Sequence, residues 1–210
     1  MTEVDNAPLV PVVCVLGAWS SGTTAVTGYL TRVGGYSCPP HVQTNDPRTP
    51  NSHEPVDFAI ELRKVIGGLT LKQHGDREAF CNWLRSWLNE RSIEARASGA
   101  SHIVLKHPLS AYLIKEINAV CNPDFLVVTR PFIKIEETRK RRKWYPSYGA
   151  AGAQKLYSTI FSSLIEIEAS YSTVSFRDFT TSLPRRRTIL KALGISGTHA
   201  QCHAAESWLK

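Results

Sequence analysis

The stretch Val10–Thr24, VPVVCVLGAWSSGTT, decides the fold. Its first seven residues are almost wholly apolar and rich in valine, the pattern of a strand buried on both faces in a parallel sheet. Gly17–Thr24 then turns the chain, and Ala25–Val33 opens a helix. The spacing of Gly17 and Gly22 matches the first part of a phosphate loop, GxxxxGK[ST], with Thr23 in the place of the lysine. An ordinary strand–helix turn uses glycines in the same way. A cradle for phosphate or sulfate fits the stretch better. Its glycines permit tight backbone paths, its N–H groups converge, and the helix start favours an anion. Thr23 and Thr24 add hydroxyl donors. The missing lysine removes the charge that supports phosphoryl transfer, which argues against an ATPase or GTPase.

Working outward, His102–Leu105 (HIVL) and Asp124–Thr129 (DFLVVT) are further short apolar strands, and Ser172–Phe179 (STVSFRDF) is a fourth. Helical patterns cover Pro55–Ile66, Arg77–Ala97, Leu109–Cys121, Phe132–Lys143, Gly149–Ala169 and Pro184–Leu193. In the second of these, Phe80, Trp83, Leu84, Trp87 and Leu88 share one apolar face, so both tryptophans are expected to pack rather than bind. Residues 34–53 read as a loop, and the tail 196–210 shows no clear pattern. Strands alternating with helices predict an α/β, three-layer fold of the P-loop type, its central and mainly parallel sheet flanked by helices. A single domain over 1–210 is expected. Ligands in such folds bind at the C-terminal ends of the strands, where the motifs fall.

The chain carries 25 Lys plus Arg against 18 Asp plus Glu, a net charge of +7. Five bases lie in Arg139–Lys143 (RKRRK) and three in Arg185–Arg187 (RRR); without those eight, 17 bases face 18 acids. The excess is therefore local, which suits a site for an anion as well as it suits nucleic acid. No stacking motif or recognition module accompanies the bases, so a nucleic-acid partner is not expected. No apolar run reaches the length of a membrane span. The opening MTEVDNAPLV lacks a basic flank, does not read as a signal peptide, and makes the cytoplasm the expected compartment. Five scattered cysteines, none in a CxxC pair, suggest neither a disulfide framework nor a zinc site, and no metal is expected.

GAWSSGTTAV resembles the 5′-phosphosulfate loop of the P-loop sulfotransferases, which use 3′-phosphoadenosine 5′-phosphosulfate (PAPS). The resemblance implies that Ser20, Ser21, Gly22, Thr23 and Thr24 line the donor's 5′-phosphosulfate. The family carries Lys or Arg just before SGT, where this chain has Ser20. FLVVTRPFIKIEET adds Arg130 after a strand and Thr138 eight residues later, similar to the family's arginine–serine pair for the 3′-phosphate. Threonine supplies the same hydroxyl donor as serine, and arginine grips phosphate with two N–H bonds. From the basic run that follows, Arg139 and Arg142 are the i,i+3 pair expected to reach the donor. STVSFRDFTTSLPRRRTILKALGI resembles the late strand, acidic turn and helix of these enzymes, with Asp178 anchoring the turn. Residues 34–101 match loosely, as a variable acceptor-side region would.

Sulfuryl transfer needs a held donor, a neutralised leaving group and a base for the acceptor. Lys106, at a strand end in IVLKHP, resembles a family lysine that contacts the transferring group, and its charge is a candidate replacement for the one absent at Ser20. Glu54, His107 and His53 are the candidate bases, with Glu54 favoured. The expected activity is sulfuryl transfer to a hydroxyl or amine of a small-molecule acceptor. The alternative is a P-loop nucleotide-binding protein with kinase activity or none.

Overall fold

The computed structural model describes residues 8–209. Five parallel strands form the central sheet: β1 (Val12–Leu16), β2 (Gly35–Tyr36), β5 (His102–Lys106), β6 (Asp124–Thr129) and β7 (Tyr171–Ser175), in the order β2-β5-β1-β6-β7. Strands β3 (His41–Gln43) and β4 (Asn51–Pro55) form a separate antiparallel hairpin within the region read as a loop. The helices are α1 (Thr23–Arg32), α2 (Val56–Val65), α3 (Arg77–Ala97), α4 (Ile114–Cys121), α5 (Phe132–Arg142), α6 (Ala150–Glu166), α7 (Phe176–Thr181), α8 (Leu183–Ala192) and α9 (His199–Trp208).

Side-chain alternation along the strands produces the layers. Val13, Val15, Val104, Leu126 and Val128 face one side and pack with Val26, Leu30, Phe179, Ile189 and Ala205 of α1, α7, α8 and α9. Val12, Ile103 and Leu105 face the other side against α2 and α3, where Phe58, Phe80, Leu84, Trp87 and Leu88 are buried. Trp83 and Trp87 stack at 5.3 Å and Trp87 on Phe58 at 5.8 Å, as the apolar stripe predicted. Cys14, Leu16, Phe125 and Val127 meet Ile135, Leu156 and Ile160 of α5 and α6 on that same side. All five residues of β1 are buried, because its neighbours on both edges are strands and both of its faces carry helices.

Three boundaries differ from the reading of the sequence. The fourth strand stops at Ser175, not Phe179, because Ser175 Oγ accepts the Asp178 N–H at 3.0 Å and caps α7. Asp178 thus takes part in the turn through its backbone. The tail contains α9, opened by a capping box in which Thr198 and Gln201 satisfy each other's backbone N–H groups. Arg186, in the basic triplet Arg185–Arg187, is buried and bonds Glu206 of α9 through Nε (3.0 Å) and Nη2 (2.5 Å). Trp208 closes this layer, its indole 3.9 Å from the Arg32 guanidinium carbon and against Gly28.

Candidate functional site

A cleft of about 740 Å³ opens at the C-terminal ends of β1, β5 and β6. The glycine loop forms its floor. Ser20 (φ 64) and Gly22 (φ 99) both occupy the left-handed region, on either side of buried Ser21. Alternating conformations of this kind point successive N–H groups inward and make an anion-binding concavity. No side chain caps the N-terminus of α1, whose first residues Thr23 and Thr24 lie at the cleft, where the leading N–H groups of a helix lack intrahelical partners. Ser20 Oγ is buried and likewise unpartnered. Gly22, Thr23 and Thr24 line the cleft directly.

Gly22 is required by two constraints at once. Its φ is unfavourable for side-chain-bearing residues, and an added Cβ would lie 2.1 Å from Phe176 Cδ2. Phe176, first residue of α7, thus roofs the loop; the Arg130 guanidinium also packs over its ring, 5.0 Å from the centroid.

Arg130 leaves β6 and joins the two halves of the cleft. Its Nη1 donates to the Ser20 carbonyl at 2.9 Å and to Thr138 Oγ1 at 3.4 Å. Burial lowers the Arg130 pKa, so its charge is maintained at a desolvation cost. Of the paired bases expected on α5, Arg142 lines the cleft and Arg139 does not. Arg139 turns to Glu136, with Nε at 2.9 Å and Nη2 at 2.7 Å, and to the Trp144 carbonyl at 2.9 Å. Arg141 takes the cleft position instead. Both Arg141 and Arg142 contact buried Asp46, from the loop between β3 and β4, at 3.1 and 2.6 Å. Arg142 Nη2 also donates to Thr49 Oγ1 at 2.8 Å, so the hairpin loop is strapped to α5 across the cleft.

The opposite wall holds Lys106, Glu54 and His107. Lys106 Nζ donates to Glu54 Oε1 (2.6 Å), the Ser52 carbonyl (3.1 Å) and Thr24 Oγ1 (3.3 Å). It is buried at the end of β5, and its bond to Thr24 sets its charge against the glycine loop. His53, between Ser52 and Glu54, adopts φ 55, a conformation rare in non-glycine residues, and both its neighbours bond Lys106. Burial alone would raise the Glu54 pKa. The charge of Lys106 and its hydrogen bond, with a further contribution from His107 once that ring is protonated, reverse this and leave it below the ordinary carboxylate value.

His107 is buried, and desolvation pushes its pKa down to about 4, so the ring is neutral near pH 7. Its Nδ1 accepts the Leu109 N–H at 3.1 Å, which places the ring proton on Nε2, 3.8 Å from Glu54 Oε2. His53 is also held down to about 4 by burial, and it packs 5.3 Å from His41 and 5.9 Å from Trp208.

Trp19 and Tyr148 pair at 4.5 Å along the cleft, with Trp144 nearby. The sequence reading missed Trp19, Arg63, Arg141, Tyr148 and Phe176 as cleft residues, and Asp46 as the partner of two cleft arginines. Only Trp19 and Phe176 had a usable signal, since each follows a strand at the ligand-binding edge of the sheet. Among the described residues, no cluster of three or more His, Cys, Asp or Glu side chains is placed to hold a metal ion. Nor is any described helix long and apolar enough to cross a membrane.

No family model matches the chain, and no curated protein matches it by sequence. Solved structures do match. The structure of sulfotransferase STF9 from Mycobacterium avium aligns with a TM-score of 0.57 at 14% identity, covering 99% of this chain and 69% of that one. Sulfotransferase STF1 from Mycobacterium tuberculosis H37Rv (type1 form) aligns with a TM-score of 0.53, also at 14% identity, covering 98% of this chain and 73% of that one. The central parallel sheet, the flanking helices and these alignments give the chain a sulfotransferase-type α/β fold.

Proposed function

We propose that the chain transfers a sulfuryl group from PAPS to a hydroxyl or amine of a small-molecule acceptor. The observation that carries this reading is the placement of Lys106 Nζ, bonded both to Thr24 of the anion loop and to Glu54. A cation there supplies the positive charge that the loop lacks at Ser20. The fit of the donor rests on the uncapped start of α1, the unpartnered Ser20 hydroxyl and Arg130 beside Thr138. Gly22, Thr23 and Thr24 would hold the 5′-phosphosulfate, while Arg130, Thr138 and Arg142 would hold the 3′-phosphate. Ser21 and Arg139 support this arrangement from outside the cleft surface.

The donor supplies an activated sulfur–oxygen bond to phosphate. An acceptor oxygen or nitrogen forms the new bond to sulfur as that one breaks, and 3′-phosphoadenosine 5′-phosphate (PAP) leaves. The acceptor's proton passes to Glu54, the ionised carboxylate in reach of the cleft. His107, with its proton on Nε2, faces Glu54 Oε2 at 3.8 Å. Lys106 offsets charge on the leaving phosphate.

Calorimetry with PAP and ADP tests the donor site. PAP is expected to bind at least about tenfold more tightly, and Arg130→Ala to erase that margin, a loss in the range of a charge-assisted hydrogen bond. Equal or absent binding of the two nucleotides defeats the proposal. Ser20 favours a second reading, nucleotide binding without transfer; PAP binding with no turnover on any hydroxyl or amine acceptor would select it.

A further inference from the structure

The cleft's arginines are not equivalent. Arg141 and Arg142 are neutralised by Asp46, and Arg130 is engaged by Ser20 and Thr138. Arg63, in the last turn of α2, is exposed and lines the cleft, and its guanidinium, like that of Arg48 in the hairpin loop, has no carboxylate partner among the described residues. The nearest acid on its own helix, Glu61, is taken by Lys64 at 2.5 Å. The cleft that Arg63 lines is also lined by Glu54, His107, Pro108, Leu109, Gly68 and Tyr148. The positive charge of Arg63 favours the ionised forms of Glu54 and Tyr148 and the neutral form of His107. Trp19 and Tyr148, which also line the cleft, present aromatic faces tilted by 40°.

We infer that Arg63 is a specificity residue that selects acceptors bearing an anionic group, such as a carboxylate, on a planar body a few atoms from the reacting hydroxyl. The inference rests on the acceptor being sulfated at Glu54, as proposed above. An unpaired guanidinium lining a cleft offers a carboxylate two parallel N–H bonds. Glu54 itself is compensated by Lys106, so it does not repel an incoming anion as a free carboxylate would. The aromatic pair accommodates a flat ring between polar ends. A neutral ring of the same size would lose only the contact with Arg63, whereas an amine-bearing one would meet like charge.

The probes are 4-hydroxyphenylacetate, 4-methylphenol and tyramine, titrated calorimetrically into the full chain saturated with PAP. The acetate is expected to bind about tenfold or more tightly than 4-methylphenol, and tyramine more weakly than both. Arg63→Gln should bring the first ratio close to unity, and Arg63→Lys should keep a part of it, because lysine retains charge without the fork. The ratio within one variant cancels any general loss of folded protein. Absence of a preference in the wild type, or its survival in Arg63→Gln, overturns the inference. If PAP itself fails to bind, the donor reading falls. The same three probes without PAP then decide the Arg63 subsite on their own: a carboxylate preference removed by Arg63→Gln upholds it, and no preference overturns it.

Discussion

Lys106 Nζ lies 2.6 Å from Glu54 Oε1, in a contact that leaves the lysine side chain 4% and the glutamate side chain 11% exposed. Two buried opposite charges at that distance are each other's solvation. Taking either away leaves an uncompensated ion in a poorly solvated place, and that loss exceeds the net worth of the pair. Lys106→Met is therefore expected to destabilise the fold by about 3–5 kcal/mol, while the double variant Lys106→Met with Glu54→Leu recovers most of it. Urea denaturation of the four proteins checks this, and additive losses would show that the pair is not coupled.

Glu54→Gln separates chemistry from binding. The amide keeps the shape and accepts a bond from Lys106, yet it cannot take up a proton. Turnover is expected to fall by about two orders of magnitude or more, with PAP affinity changed by less than about threefold. Wild-type turnover in this variant would remove Glu54 from the role of base.

Acid should unfold the protein in two steps of different origin. His53, His102 and His107 are all held by burial near pKa 4, well below the ordinary histidine value. The unfolded chain therefore binds more protons than the folded one from about pH 6.5 down to 4, and stability falls with pH through that window. Each histidine adds at most about 1.4 kcal/mol per pH unit to the slope. Glu54, whose folded pKa is depressed, contributes stability that is lost only below its unfolded value, at lower pH. Denaturation midpoints between pH 7 and 4 test the histidine step, and His102→Asn should flatten it. A slope unchanged in that variant would deny His102 its part.

At the roof of the loop, Gly22→Ala meets both a left-handed φ of 99 and the Phe176 ring. The expected cost is about 2–4 kcal/mol, from backbone strain plus overpacking. Phe176→Ala added to Gly22→Ala should return the packing share and leave the backbone share, which thermal melts can resolve.

The strap from Asp46 to Arg141 and Arg142 places an internal carboxylate on two cleft arginines. Asp46→Asn is expected to raise PAP affinity by up to about tenfold at low salt, and the gain should shrink as ionic strength rises and screens the freed charges. Calorimetry at two salt concentrations reads both effects. An unchanged or reduced affinity at low salt would mean that the strap shapes the pocket rather than competes for it.

Much of the framework is local and therefore readable from sequence. A valine-rich run before Gly17 reads as a doubly buried strand and Gly22 before two threonines as the opening of a helix, and both elements form there. Lys106 and Arg130 follow strands, so their arrival at one edge of the sheet is settled once the strands are parallel. The charge run on α5 was legible as a cluster, but which bases face the cleft was not. Arg139 is drawn off by Glu136 one turn away, while Arg142 is held by Asp46, 96 residues earlier. Helix α9 escaped notice because its polar sequence (HAQCHAAESW) carries no strong stripe; Glu206 and Trp208 gain their meaning only from Arg186, Tyr29 and Arg32 on other helices. The same holds for Glu54 and Lys106, 52 residues apart. Local periodicity and turn chemistry fix which element forms, whereas the pairing of buried charges depends on distances that exist only after the sheet has brought its strand ends together.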